Sequence, residues 1–182
     1  MFNQTLYTIG HGSRELEDLI ELLKVNEIEI LVDIRARPMS SRFPHFNQQD
    51  LRNSLDKVDI TYHWAGRALG GFRSTQENSP NTALEDGQLR GFADYMQNPD
   101  FDRAANQLIK LTQHATGAIL CAEKDPAYCH RSLIADYLVL KGVTVLHIID
   151  AEVIEHYLRS EARKESAELI YDHRAADKLP IE

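Results

Sequence analysis

Cysteine is scarce in this chain, which has Cys121 and Cys129 among its 182 residues. Two cysteines cannot build the disulfide framework of a small secreted domain, so we interpret them as reduced thiols. Long hydrophobic runs are also missing, and none approaches the roughly 20 residues that span a bilayer. The first residues, Met-Phe-Asn-Gln-Thr, lack the basic and apolar regions of a signal peptide. We therefore expect a cytoplasmic protein that has no membrane partner.

Positive charge is in short supply, because 20 lysines and arginines stand against 28 acidic residues and the formal net charge is −8. This balance argues against a general attraction to nucleic acid and leaves a local basic pocket as the route to phosphate or nucleic acid. A hydrophobic content of 43% over this length suits a globular domain with a sizeable core. Neither an internal repeat nor a low-complexity segment is evident. The sequence does not indicate an oligomeric state.

Short apolar runs alternate with helix-periodic segments as far as residue 150. Strands are predicted over 6–9, 29–34, 60–64, 117–123 and 143–149, and helices over 15–26, 48–55, 91–96, 101–114 and 129–141. This alternation predicts an α/β fold in which a mostly parallel central sheet of about five strands is flanked by helices, in a Rossmann-like three-layer arrangement.

We expect residues 1–150 to form a single α/β domain. The pattern of residues 151–182 predicts a C-terminal helical extension that packs on this domain and ends in a loose tail. The polar stretch Phe72–Gln88 is either a mobile lid or a solvated connection.

Polar residues follow all five predicted strands, at the points where the strands end. Because the carboxyl ends of parallel strands meet along one edge of a sheet, we expect these residues to line a common pocket. They are His11, Asp33, Arg35, Arg37, Gly66, Arg67, Gly70, Gly71, Arg73, Glu123, Cys129, His130, Arg131, His147 and Asp150.

The stretch 118–137 predicts a strand, a loop and a helix that opens with Cys129, His130 and Arg131. Unpaired N–H groups and the helix dipole favour an anion at such a helix start. The same surroundings should lower the pKa of the Cys129 thiol. Cys121, in the strand, should belong to the core.

Two sequence signals that could define the chemistry of this stretch are missing. The spacing from either cysteine to Arg131 does not match the phosphatase loop of Cys, five residues and Arg. A zinc site built from Cys121, Cys129 and His130 lacks a clear fourth ligand, so we predict no metal and no cofactor.

These considerations assign two kinds of role. The catalytic candidates are His11, Asp33, Glu123 and Cys129, whose side chains suit acid–base or nucleophilic chemistry. The ligand-binding candidates are Arg35, Arg73, His130, Arg131, Gly70 and Gly71. The structural alternative is that several arginines form ion pairs with Asp33, Glu123 or Asp136, and that the histidine and the cysteine serve packing.

Several of these residues also carry a resemblance to a known family. The chain contains Cys-Ala-Glu at 121–123, then Pro126 and Cys-His-Arg at 129–131. Further matching motifs are Thr8–His11, Val32–Arg35 with Pro38 and Ser40, Leu69–Gly71 with Arg73, and Phe92–Met96. Together they resemble the DUF488 family over about residues 7–150. The chain has Gly-His-Gly-Ser-Arg at 10–14 where the family usually has Gly-His-Ser-x-Arg. The resemblance implies a fold and a candidate pocket and supplies no reaction.

The function predicted from the sequence is that of an α/β protein with a strand-end pocket for a small anionic, phosphate- or nucleotide-like ligand. Its chemistry would be that of a hydrolase or group transferase. The first alternative is a non-catalytic module that binds a nucleotide or one end of a nucleic acid. The second is a thiol redox protein that uses Cys129.

Overall fold

A computed structural model of the protein describes residues 4–173. The central sheet contains β1 (Thr5–Gly10), β2 (Ile30–Asp33), β3 (Thr61–Trp64), β4 (Gly117–Cys121), β5 (Thr144–Ile149) and β6 (Glu152–Glu155). Its strand order is β3-β2-β4-β1-β5-β6, and the first five strands are parallel. The predicted α/β architecture is confirmed, with one antiparallel strand added at the edge.

Helices cover both faces of this sheet, so the described chain has three layers. They are α1 (Leu16–Val25), α2 (Gln48–Asp56), α3 (Gly66–Leu69), α4 (Gly87–Tyr95), α5 (Pro99–Leu111) and α6 (Arg131–Leu140). On one face, α1 and α2 bury leucines against a core that includes Leu31 and Leu120. On the other face, α4, α5 and α6 bury a second core around Ile119 and Leu133.

Strand β4 lies between β1 and β2, and the helices that follow these neighbours pack on the face opposite to α6. Alternate β4 residues serve the two cores, with Ala118 and Leu120 on the α1 side and Ile119 and Cys121 on the α6 side. Where the helices that follow neighbouring strands lie on opposite faces of a sheet, a crevice is left beyond the carboxyl ends of those strands. The end of β4, at Cys121, therefore lies at this crevice.

The predicted helix over 151–182 is wrong for the part that the structure describes. After a turn at Asp150, whose φ is 53°, β6 pairs antiparallel with β5. Strands β7 (Ala162–Glu165) and β8 (Glu168–Tyr171) then form a separate hairpin. The open edge of β5 provides hydrogen-bonding partners that override the helical spacing of the apolar residues. The predicted loose tail, Asp177–Glu182, lies outside the described residues.

Several predicted boundaries also differ from the structure. Helix α5 begins at Pro99, two residues earlier than predicted, and the side chain of Asn98 caps it by accepting from the backbone N–H of Asp100. Helix α6 begins at Arg131, two residues later than predicted, and Cys129 is extended. Gly142 follows the end of α6 with a φ of 83°, and the N–H groups of Gly142 and Val143 donate to carbonyl oxygens of the last turn. Within residues 4–173, no helix is long and apolar enough to cross a membrane.

The loop predicted as a lid or a solvated connection is anchored to buried polar groups. The Asp94 carboxylate of α4 accepts hydrogen bonds from Gln76, Ser79 and Asn81. The Asn81 amide oxygen in turn accepts from the backbone N–H of Tyr171 in β8. This loop therefore also holds the C-terminal hairpin.

A buried chain of hydrogen bonds joins the sheet to the C-terminal segment. Arg131 can only donate to Thr8 at one end of the chain, and the Asp136 carboxylate can only accept from His156 at the other. A neutral histidine donates from one ring nitrogen and accepts at the other, so these two ends fix the direction of the bonds that His147 makes to Thr8 and His156. The order of the chain, from donor to acceptor, is Arg131, Thr8, His147, His156 and Asp136. Asp136 also accepts from the Tyr171 hydroxyl.

Candidate functional site

Two neighbouring cavities open at the carboxyl edge of the sheet. We call the first the thiol cavity; its volume is about 260 Å³, and Cys121, Cys129 and His130 form part of its wall. We call the second the arginine cavity; its volume is about 590 Å³, and His11, Arg42 and Lys124 form part of its wall. Both cavities are also lined by Arg35, Arg37, Ala122 and Glu123, so they share one wall.

Three sulfur and nitrogen atoms converge at the thiol cavity. The Sγ atoms of Cys121 and Cys129 are 2.9 Å apart. The Nδ1 atom of His130 lies 3.9 Å from the first sulfur and 3.7 Å from the second. The strand end supplies Cys121, whereas the other two residues come from the turn that leads into α6. We refer to these three residues as the thiol cluster.

The two thiols of the cluster have different acidities. The hydrogen bond with Cys121 lowers the pKa of Cys129 to about 7, helped by the charge and backbone N–H of Arg131 and opposed by burial. The same hydrogen bond, together with burial, raises the pKa of Cys121 well above its usual range. Either sulfur can hold the proton between them, and the nearby arginine favours Cys129 as the thiolate. The predicted low pKa of Cys129 agrees with this direction.

His130 presents one particular nitrogen to the sulfurs. Its Nε2–H donates to the carbonyl oxygen of Leu69 across 2.9 Å, because a carbonyl oxygen only accepts. In the neutral ring, Nδ1 then keeps a lone pair, and this atom faces both thiols. Gly71 makes room for the ring, since a Cβ atom there would lie 2.6 Å from Nδ1.

Asp33 lies buried beneath the wall that the two cavities share. Its carboxylate accepts from Nε and Nη2 of Arg35, with an Nη2–Oδ2 distance of 2.5 Å, and from the Tyr62 hydroxyl. Burial opposes the charge of Arg35, but the bonds and charge of Asp33 outweigh it and raise the arginine pKa. Asp33 therefore positions Arg35, and it is not among the described residues that line either cavity.

His11 lines the arginine cavity and also contacts Arg35. Its Nδ1–H donates to the Gly12 carbonyl oxygen, and its Nε2 lies 3.3 Å from Nη1 of Arg35. The ring stacks on Phe46 with the centroids 4.5 Å apart. Burial lowers the pKa of His11 to about 4, with a further contribution from the Arg35 charge. The imidazole is therefore neutral at pH 7 and accepts from the arginine.

Arg131 is fully buried, and its N–H groups form hydrogen bonds within the protein. It donates to the backbone carbonyl oxygens of Glu123 and Lys124, to the latter across 2.7 Å. Its Nε donates to Thr8. The guanidinium therefore holds the loop that follows β4, and Arg131 is not among the described residues that line the two cavities.

The structure places Arg73 away from both cavities. It donates to the carbonyl oxygens of Arg67 and Gly70, and its guanidinium lies 3.7 Å from the Tyr95 ring centroid. Gly70 is a close-packing position, because a Cβ atom there would lie 2.3 Å from the Gly66 carbonyl oxygen. Of the predicted glycines, Gly71 borders the thiol cavity.

The fold therefore brings together six of the ten predicted site residues at the two cavities. They are His11, Arg35, Gly71, Glu123, Cys129 and His130. Asp33 and Arg131 lie directly behind this wall as supports, whereas Gly70 and Arg73 pack against α3 and α4.

Sequence reasoning placed Arg37 among the strand-end arginines of the expected pocket, but it did not assign Arg42 or Cys121 to that pocket. Arg37 and Arg42 are exposed, and within residues 4–173 neither forms an ion pair. Cys121, assigned to the core from its place in the strand, lines the thiol cavity. The density of arginines from Arg35 to Arg42 is the signal that could have identified Arg42.

Comparison with known proteins is consistent with the motifs noted above. No curated protein and no solved structure matches the chain. The family described as "Domain of unknown function DUF488" matches residues 15–138, which run from the start of α1 into α6. This stretch contains both cysteines, His130 and the Arg35–Arg42 segment, and it covers more than half of the sequence. The chain belongs to the DUF488 family.

Proposed function

We propose that the protein is an enzyme that hydrolyses, or transfers a group from, a small anionic substrate bound at the shared wall of the two cavities. The observation that carries this proposal is the exposed position of Arg37 on the wall that the two cavities share. No ion pair within the described chain compensates the charge of this arginine. An exposed guanidinium of this kind can donate two parallel hydrogen bonds to a phosphate or carboxylate group.

Neighbouring charges support the same ligand class. Arg42 and Lys124 line the arginine cavity, although Lys124 also pairs with Asp150. Arg35 lines it too, with one N–H of Nη1 left after its bonds to neighbouring groups. A cluster of cations in an acidic protein focuses its field on one place and attracts an anion to it. Asp33 and His11 hold Arg35 in a fixed orientation, so little side-chain freedom is lost when a ligand binds.

Aromatic side chains at the mouth of the thiol cavity favour a substrate with a flat portion. Phe72 and Tyr128 line this cavity, yet 67% and 78% of their surfaces are exposed. Exposed rings beside cations suit a nucleoside or a similar ring attached to a phosphate. Phosphate esters and nucleotides are therefore the substrates to test first.

Groups that could take part in a reaction border the same wall. The exposed Glu123 carboxylate lines both cavities and suits proton transfer. Cys129, with its lowered pKa, lines the thiol cavity. The presence of both types of group beside the cations is why we favour an enzyme over a binding module.

The proposal is tested by ligand binding and turnover on a panel of phosphate, nucleotides and sugar phosphates. Arg37→Ala should weaken phosphate binding in calorimetry by about tenfold or more, since a charge-assisted hydrogen bond contributes roughly 1.5–3 kcal/mol. Arg103→Ala is the matched control, because it removes an exposed arginine on α5 that lines neither cavity. Equal affinities of the wild type and Arg37→Ala would contradict the site. Binding without turnover across the panel would favour the non-catalytic module.

A further inference from the structure

We propose that the thiol cluster, Cys121, Cys129 and His130, binds a divalent transition-metal ion, and that the fourth coordination position opens into the thiol cavity. Two thiolate sulfurs and one imidazole nitrogen form a donor set that selects zinc over the harder Mg²⁺ and Ca²⁺. The spacing along the sequence does not suggest this site. The fold creates it by bringing the end of β4 against the turn before α6.

The orientation of His130 is the first argument for a metal. Metal-binding histidines typically donate their second ring N–H to a carbonyl oxygen or carboxylate, which fixes the tautomer. The bond from Nε2 to the Leu69 carbonyl oxygen is of this kind, and it turns the Nδ1 lone pair toward both sulfurs. Phe92 packs edge-on against the ring at 4.9 Å and limits its rotation.

The distances give the second argument. Tetrahedral zinc, with bonds of about 2.3 Å to sulfur and about 2.0–2.1 Å to nitrogen, separates sulfur from nitrogen by about 3.5 Å and two sulfurs by about 3.8 Å. The two nitrogen–sulfur distances, 3.7 and 3.9 Å, lie within a few tenths of an ångström of this value. The two sulfurs are 2.9 Å apart. When a cation replaces the proton between them, the distance would increase by about 0.9 Å, to the roughly 3.8 Å of a zinc site.

The surroundings of the sulfurs give the third argument. The backbone N–H of Arg131 points at Sγ of Cys129 across 3.5 Å and stabilises negative charge on that atom. Both cysteines are almost completely buried, at 6% and 3% exposure, so a bound ion would be shielded on the protein side. All three donor residues line the thiol cavity, which leaves the remaining coordination position accessible.

This metal site adds a group to the proposed active site. The substrate class given for it, a small anion, rests on the proposed function. Arg35, Arg37 and Glu123 line the same cavity as the three donors. The open position therefore lies beside the cations and can take a water molecule or an oxygen of the anionic substrate. Metal binding itself requires none of the proposed chemistry, so it is measured separately.

The experiment is metal analysis of the full chain, purified without a metal-binding tag. Elemental analysis should find about one zinc per chain, as a site with protein ligands and one open position requires. After removal by a chelator, Co²⁺ should restore one equivalent, with a thiolate-to-cobalt charge-transfer band and the strong visible bands of a tetrahedral complex. Cys121→Ser, Cys129→Ser and His130→Gln should each weaken Co²⁺ binding by at least the roughly 10–100-fold that even an outer-shell change costs.

Control variants separate this proposal from the proposed function. His63→Gln, which alters an exposed histidine of β3, should leave the cobalt spectrum unchanged. Arg37→Ala should retain the metal while losing phosphate affinity. A wild-type protein that lacks zinc and gives no cobalt charge-transfer band would overturn the metal site.

Discussion

The Nε2–H of His130 donates to the carbonyl oxygen of Leu69 across 2.9 Å, and this bond decides which ring nitrogen faces Cys121 and Cys129. The two residues lie 61 positions apart, so their contact exists only when the short helix α3 packs beside the start of α6. One hydrogen bond between distant segments thereby sets the chemistry of the thiol cluster.

The space for this ring predicts the effect of Gly71→Ala. The added Cβ atom would lie 2.6 Å from Nδ1 of His130, so the imidazole must shift away from the sulfurs. We expect Co²⁺ affinity to fall by about tenfold or more, as for other changes in the shell around a metal ligand. Gly87→Ala is the control, because a Cβ atom at that position meets nothing within 4 Å. Equal cobalt titrations of the two variants would contradict the assigned role of Gly71.

Arg131 and Arg37 should respond to substitution in opposite ways. Arg131→Lys removes the fork that holds the carbonyl oxygens of Glu123 and Lys124, and urea unfolding should show a loss on the order of 3 kcal/mol. Its phosphate affinity should stay within about twofold of wild type while the protein is folded. Arg37→Ala should lose phosphate affinity with a stability change within about 0.5 kcal/mol, as is usual for surface positions. If Arg131→Lys weakened phosphate binding tenfold, the sequence-based assignment of Arg131 as a ligand would stand.

Asp33 should be among the costly residues to neutralise. Asp33→Asn removes the charge that compensates the buried Arg35, and losing one partner of a buried pair costs about 3 kcal/mol or more. Asp150→Asn, whose carboxylate pairs with Arg14 and Lys124 at the surface, should cost less than about 1 kcal/mol. Unfolding in urea at neutral pH checks both values. Similar losses in the two variants would mean that the Asp33–Arg35 pair is effectively solvated.

His147 predicts how stability depends on pH. Burial, with the charges of His156 and Arg131, lowers its pKa from 6.5 to about 3, so the unfolded chain binds the proton first as the pH falls. Stability should therefore decrease below pH 6.5 and continue to decrease toward pH 3. His147 alone contributes a loss on the order of 1–2 kcal/mol between about pH 6.5 and pH 5.

His147→Gln isolates this contribution. Glutamine can accept from Thr8 and donate to His156, but it does not titrate. The variant should show a shallower pH dependence of the free energy of unfolding than the wild type. His11, whose pKa is also lowered, contributes equally to both proteins. Identical slopes in the two proteins would show that His147 binds its proton as readily folded as unfolded.

Part of the site could be predicted because it depends on local order along the chain. Glu123, Cys129 and His130 follow β4 within nine residues, and a strand end in a parallel sheet leads directly to the pocket edge. Arg73 also follows a predicted strand, but α3 intervenes, and the arginine donates to carbonyl oxygens in that helix and just after it. The position of a residue after a strand predicts at which edge of the sheet it lies. It does not predict the direction in which a long, flexible side chain points.

The sequence by itself determined the α/β alternation, the parallel strands and the edge at which polar residues collect. Those features follow from hydrophobic periodicity and from the geometry of strand–helix–strand units, which are local. Tertiary structure alone decided that residues 152–155 form a strand, since the free edge of β5 supplied the hydrogen bonds. It also decided that Cys121 meets Cys129 and His130, and that Arg131 is buried while Arg37 is exposed. Contacts between distant segments set these outcomes, because a side chain's partners depend on which elements pack together.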